Sequence, residues 1–275
     1  PTPGPTPEER NQKQNMVVFF DLDGTIVDTK TLYIPPSAIR TVQALREKGH
    51  IPVVNTGRPY AHIDPRIREL PFSGWICGCG MEILFNGSWL YRRRPDEGLQ
   101  AFVRQKVAEF GILPLYECAD GALVYDPERL AHPKQKLELE QMRSKGFPIR
   151  TVSEHPDFMK FVTWCLDQEA AEKFHQAMEP YFEVITRGKD GFTEFVLKGS
   201  SKAGGMLELL KALDIPQSET LAIGDSTNDL PMFQTAAHSV CMGSGMEEAK
   251  QAAEYVTAPL LEDGVEKAME HYGLI

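Results

Sequence analysis

The stretch Met16-Val-Val-Phe-Phe-Asp-Leu-Asp-Gly-Thr-Ile-Val-Asp28 constrains the fold more than any other part of the chain. Five apolar residues, Met16 to Phe20, run without alternation, the pattern of a parallel strand buried on both faces. The run then delivers two carboxylates, Asp21 and Asp23, followed by Gly24. In open α/β sheets, ligands bind outside the carboxyl ends of the strands. Taken alone, D-x-D-G also fits a turn that merely solvates a strand end. The choice depends on whether other strands end in groups that such a pair would need.

Several do. Pro35-Pro36-Ser37 opens an amphipathic helix to about Gly49, and Ile51-Pro-Val-Val54 is a second buried strand ending at Asn55-Thr56-Gly57-Arg58. A poorer helix, interrupted at Pro65, leads to a third strand at Trp75-Ile-Cys77. Strand and helix alternating at this spacing is the doubly wound pattern. The texture then changes. Asn86-Gly87 between Ile83-Leu-Phe85 and Trp89-Leu-Tyr91 signals a hairpin, and short strands and helices follow to Val196. After that the first texture returns. Ser200-Ser201 can cap a helix through Leu213, Thr220 to Gly224 is a buried strand ending at Asp225, and Asn228 or Asp229 caps a helix with Pro231 in its first turn.

The expected architecture is therefore α/β, a Rossmann-like doubly wound parallel sheet split around a large α+β insertion. The core takes residues 16–81 and 197–275, and the inserted cap takes 82–196. Residues 1–15, rich in proline and polar side chains, read as a disordered tail or an added remnant, with Met16 the expected natural start.

Composition narrows the function. The net charge of −10 argues against a general nucleic-acid or membrane surface, but a bound metal can reverse the field of a pocket. No apolar run approaches a membrane span and no leader segment is evident. Five scattered cysteines make a disulfide framework improbable and a cytoplasmic location the expectation. Cys77 and Cys79 lack the partners of a metal clip, and no H-E-x-x-H is present.

Four groups converge in principle on one sheet edge: Asp21 with Asp23, Thr56 with Arg58, Lys202 at a helix start, and Asp225 with Asn228 and Asp229. Carboxylates from two strand ends repel unless a cation joins them, and oxygen ligands without cysteine or histidine point to a hard ion, magnesium above all. A lysine and a hydroxyl beside it suit the remaining charge of a phosphoryl group.

DLDGT, NTGR, a lysine before a helix, and GDSTND, in this order, together resemble the haloacid dehalogenase superfamily, whose usual members are magnesium-dependent phosphatases. The large insertion, with Met242-Gly-Ser and Glu262-Asp-Gly-Val265 near the end, is similar to the Cof-type sugar-phosphatase branch (subclass IIB). The resemblance implies that Asp21 is the nucleophile that becomes an aspartyl-phosphate and that Asp23 is the general acid and base. It further implies that Thr56 and Lys202 hold the phosphoryl oxygens. Magnesium would be held by Asp21, the backbone carbonyl of Asp23, Asp225 and Asp229, with Asn228 in support. Gly24 and Gly57 would keep side chains off the phosphate, with Arg58 and Asn228 as further substrate contacts; separately, Arg187, which with Lys189 flanks Gly188 in an expected loop of the cap, is a substrate-binding candidate by its place in the chain. Cys79-Gly80-Met81 departs from the Asn-Gly-Ala common at this point in the family.

The implied activity is hydrolysis of small phosphate monoesters, with the cap as a lid and a small phosphorylated metabolite as the partner; the sequence is silent on oligomeric state. Two other readings stay open at this level, a phosphomutase using the same aspartyl-phosphate and a non-catalytic phosphate or metabolite sensor. The near-match to a P-loop at Gly199 to Gly204 fails because Gly205-Met206 stands where Lys-Ser/Thr is required. Arg92-Arg93-Arg94 reads as a solvated turn.

Overall fold

The computed structural model describes residues 15–152, 156–187 and 191–275; the side chain of Arg187 lies outside the described part. In chain order the strands are β1 (Val17–Phe20), β2 (Ile51–Asn55), β3 (Gly74–Cys77), β4 (Glu82–Phe85), β5 (Ser88–Arg92), β6 (Leu113–Cys118), β7 (Leu123–Tyr125), β8 (Ile149–Thr151), β9 (Phe158–Trp164), β10 (Phe182–Arg187), β11 (Phe192–Leu197), β12 (Thr220–Gly224), β13 (His238–Cys241) and β14 (Tyr255–Val256). They form an eight-stranded sheet, in the order β14-β13-β12-β1-β2-β3-β4-β5, and a six-stranded sheet, β10-β11-β9-β6-β7-β8.

In the first sheet β1 is central, parallel to both β12 and β2, with Phe20 opposite Ile223 on one side and Val54 on the other. All four residues of β1 are fully buried, which is why the run shows no alternation. The β4–β5 hairpin turns at Asn86 and Gly87, both with positive φ (46° and 77°), as a two-residue primed turn demands. It joins the edge of this sheet and not the six-stranded one.

The helices are α1 (Pro36–Glu47), α2 (Pro65–Arg68), α3 (Glu97–Phe110), α4 (Pro133–Ser144), α5 (Gln168–Met178), α6 (Lys202–Leu213), α7 (Leu230–Thr235), α8 (Glu247–Ala252) and α9 (Gly264–His271). In the six-stranded sheet Tyr116, Phe161 and Phe195 point to one face, where α3 and α5 bury Val103, Val107, Phe174 and Met178 against them. The opposite face carries Leu115, Val162 and Trp164, packed with Leu139 of α4. Side chains alternate between the faces of a strand, so two cores of different composition share one sheet. The expected α/β core with an inserted α+β part is the observed fold.

By contacts the chain divides into two compact units. One runs to Val54 and takes in Leu70–Gly74 and Met206–Ile275; the other comprises Asn55–Glu69 and Trp75–Gly205.

Candidate active site

In the first unit Asp21 leaves the end of β1 and Asp225 the end of β12, and the two parallel strands stay in register to the last residue, Asp21 donating its N–H to the Ile223 carbonyl at 2.8 Å. Asp229 comes to the same place by a tight turn. Its Oδ2 accepts the N–H groups of Asp225 at 3.0 Å and Ser226 at 3.1 Å, and Ser226 completes a reciprocal capping box with it. The sequence expectation that Asn228 or Asp229 caps the following helix is corrected here. Asp229 turns back into its own loop, α7 receives no side-chain cap from it, and the Asn228 amide oxygen accepts from the Ser226 hydroxyl at 2.6 Å.

Three carboxylate oxygens, one each from Asp21, Asp225 and Asp229, thus lie within 4.8 Å of one another, two of the residues buried and Asp225 half-buried. Two glycines make room for them. A Cβ on Gly24, whose φ is +83°, would stand 2.3 Å from Asp225 Oδ2, and one on Gly224 would stand 2.5 Å from the Asp229 Cγ. Gly24 therefore clears a space for Asp225. The negative field is felt nearby: burial first, then Asp225 and Asp229, push the Cys241 thiol up to about 11. Three like charges this close in a half-dry site call for a counter-ion, and an all-oxygen donor set suits a hard divalent cation. The residues fit such an ion. Asp23 stays outside the trio, in a turn closed by the Gly24 N–H on the Val27 carbonyl at 2.8 Å.

The second unit gathers the remaining groups. β2 ends at Asn55, whose Nδ2 donates to the Lys202 carbonyl at 3.0 Å, so the buried Thr56 and the buried Lys202 are tied to one point. Thr56 donates its N–H to Ile76, accepts from the Cys79 N–H at 3.1 Å, and its hydroxyl accepts the Arg58 N–H at 3.2 Å. Lys202 is the first residue of α6, and Ser201 Oγ caps that helix by accepting the Gly204 N–H at 2.9 Å. Close backbone approach holds the junction: a Cβ on Gly80 would meet the Ser201 carbonyl oxygen at 2.3 Å. At Gly57 a Cβ would meet the Cys79 sulfur at 3.4 Å. Arg58 is half-buried beside them. Arg187 closes β10, and its side chain lies outside the described residues, as do Gly188 and Lys189.

Sequence reasoning missed several groups. Asn55 carries the only signal, its place in the NTGR stretch. Glu82 is fully buried and accepts from the Tyr60 N–H and from Arg92 Nε, each at 2.9 Å. Arg92 is thus paired and not part of a solvated turn, while Arg94 pairs with Asp157. His62, Glu117, Lys160 and Glu194 form a further buried cluster, taken up below.

The family model of haloacid dehalogenase-like hydrolases matches residues 18–269. The chain belongs to that family. Within it, the chain is a phosphatase of the Cof-type branch. It is similar to YkrA of Bacillus subtilis (strain 168), 28% identical over 263 residues that cover 94% of this chain and 98% of YkrA. It is also similar to the 5-amino-6-(5-phospho-D-ribitylamino)uracil phosphatase YitU of the same organism, 23% identical over 269 residues, 93% of this chain and 97% of YitU. Among solved structures, the subclass IIB sugar phosphatase BT4131 is 29% identical, with a TM-score of 0.76 over 95% of this chain and all of that one. Among the described residues no helix is long and apolar enough to cross a membrane.

Proposed function

We propose that this phosphatase is magnesium-dependent and hydrolyses small phosphate monoesters, sugar phosphates or similar metabolites, through an aspartyl-phosphate on Asp21. The observation that carries the reading is the trio of Asp21, Asp225 and Asp229, a pre-built oxygen site at the ends of two adjacent parallel strands. Magnesium would be held there, with the Asp23 carbonyl completing the protein ligands, and would supply charge neutralisation for the phosphoryl oxygens.

A carboxylate oxygen of Asp21 attacks phosphorus, the ester P–O bond breaks, and Asp23 gives its proton to the departing alkoxide oxygen. Asp23, now ionised, takes a proton from water as that water attacks phosphorus, and the bond to Asp21 breaks to release phosphate. The Thr56 hydroxyl and the Lys202 ammonium hold phosphoryl oxygens, Lys202 from a helix start where backbone N–H groups already favour an anion. Gly57, Arg58 and Asn228 border the phosphate. Substrates named for relatives, a sugar phosphate for BT4131 and a ribityl phosphate for YitU, agree with a small polyhydroxylated ester.

The test is Asp21→Asn, nearly isosteric, assayed by phosphate release from a panel of small esters with magnesium and with excess chelator. The expected result is a loss of about 10⁴-fold or more with the fold intact, and no turnover in chelator. Wild-type rates in either condition contradict the reading.

A further inference from the structure

β2 ends in a polar side chain where an apolar one would serve the core. Val53 and Val54 are fully buried, and so is the next residue, Asn55. Burying an amide costs free energy unless its hydrogen bonds are replaced, and an aliphatic side chain at the end of a buried strand avoids that cost. The partner of Asn55 gives the amide a purpose. Its Nδ2 donates at 3.0 Å to the main-chain carbonyl of Lys202, 147 residues along the chain. The bond meets the lysine at its backbone, at the root of the side chain. It fixes where the stem begins without drawing on the ammonium itself.

Thr56 follows directly, so one strand end carries one proposed phosphate contact and holds the other. The Thr56 backbone is tied on both sides, its N–H to the Ile76 carbonyl at 2.9 Å and its carbonyl to the Cys79 N–H at 3.1 Å. Its hydroxyl accepts the Arg58 N–H at 3.2 Å, and a hydroxyl that accepts there keeps its proton to donate elsewhere. Further on the segment is pinned again. The fully buried Glu82 accepts the Tyr60 N–H at 2.9 Å, at the start of the short 3₁₀ turn Tyr60–His62, and is itself held by Arg92 Nε at 2.9 Å. Thr56 to Pro59 thus run between two buried side-chain anchors, and these residues, Asn55 and Lys202 included, all belong to the second compact unit.

We propose that Asn55 is a positioning residue for phosphate: it sets the Thr56 hydroxyl and the root of Lys202 at a fixed separation, so that the two contacts bind a phosphoryl group together. This rests on the phosphatase reading above and adds the residue that pre-organises its anion contacts. Donors fixed in advance need no reorganisation as charge develops, which is why their placement is felt in the rate.

The test is Asn55→Leu in the full-length protein, with Asn55→Ala beside it; leucine has a similar branched shape and no donor. Three quantities are read: kcat/KM for the best ester of the panel, the inhibition constant of inorganic phosphate, and Tm by circular dichroism. Both variants, assayed well below their Tm, are expected to lose roughly 10²-fold in kcat/KM and about tenfold in affinity for inorganic phosphate. A side chain that merely fills the strand end would let Asn55→Leu keep the parent's two constants, whatever happens to Tm, and that result overturns the inference. Should Asn55→Leu fail to fold, Asn55→Ser, whose hydroxyl ends one bond short of the amide nitrogen, must show the same two losses; parent-like constants in that variant refute the inference equally. Turnover by the parent keeps the phosphatase reading in either case. A parent that turns over no ester of the panel overturns the reading on which the inference rests.

Discussion

Replacing Gly24 by alanine tests the acidic site through a single methyl group. A Cβ at this position would lie 2.3 Å from Asp225 Oδ2 and 2.8 Å from its Cγ, so reaching an ordinary contact of 3.4 Å means displacing the carboxylate by about 1.1 Å. Misplacing a catalytic group by about 1 Å costs roughly 10²-fold in rate. The backbone adds a separate cost, because Gly24 has φ +83° and a Cβ there is disfavoured by about 1 kcal/mol, which for a chain of this size lowers Tm by roughly 2–4 °C. Gly87 separates the two effects. Its φ is +77°, but nothing lies within 4 Å of its Cβ position, so Gly87→Ala carries the backbone cost without the clash. Initial rates across a magnesium titration, with thermal melts alongside, should show Gly24→Ala about 10²-fold slower and needing more metal, and Gly87→Ala as fast as the parent with a similar drop in Tm. Equal rates for Gly24→Ala and the parent, or equal losses for the two variants, would refute the reasoning.

Two further predictions concern the second unit. Lys202→Met should abolish most turnover while Lys198→Met changes it little, because Lys202 is buried at the start of α6 whereas Lys198 is exposed and donates to the Glu179 carbonyl at 2.8 Å; paired kinetic assays check the ranking, and a larger loss at Lys198 reverses it. Burial holds the His62 imidazole at about 4, below its ordinary 6.5, so between those values the unfolded chain binds a proton that the folded one refuses. Stability should therefore be full above pH 6.5 and fall toward pH 4, by up to about 3 kcal/mol from this group, with His62→Gln flattening that part of the denaturation profile; an unchanged slope in the variant removes His62 as the cause.

The parts of the fold that were legible in the sequence are those governed by local rules. The unalternating β1 run, the Asn86-Gly87 turn and the serine cap of α6 each have a nearby cause, and each is found where the residues put it. α4 begins at Pro133, four residues before its apolar periodicity starts, because His132 Nδ1 accepts the Lys134 N–H at 3.2 Å. β8 and β14, three and two residues long, are made by pairing with β7 and β13 and have no pattern of their own. The acidic trio follows the same division. Asp21 and Asp225 sit at strand ends visible in the sequence, whereas the turn that folds Asp229 back depends on hydrogen bonds that spacing alone does not specify. The Glu117–Lys160–Glu194 cluster was hidden for a stronger reason. Its members come from three strands, and only the register of β6 and β11 on β9 brings them together.

The central claim, that Asp21 is the phosphoryl acceptor, is tested most directly by acid-quenching the enzyme during turnover of its best ester with magnesium and mapping covalent phosphate by peptide mass. Asp23→Asn, which should slow hydrolysis of the intermediate, is quenched alongside the parent. The account predicts one phosphoryl group on the peptide containing Asp21, more abundant in Asp23→Asn and absent from Asp21→Asn. Phosphate on any other residue, or turnover without a covalent species in either protein, would contradict it.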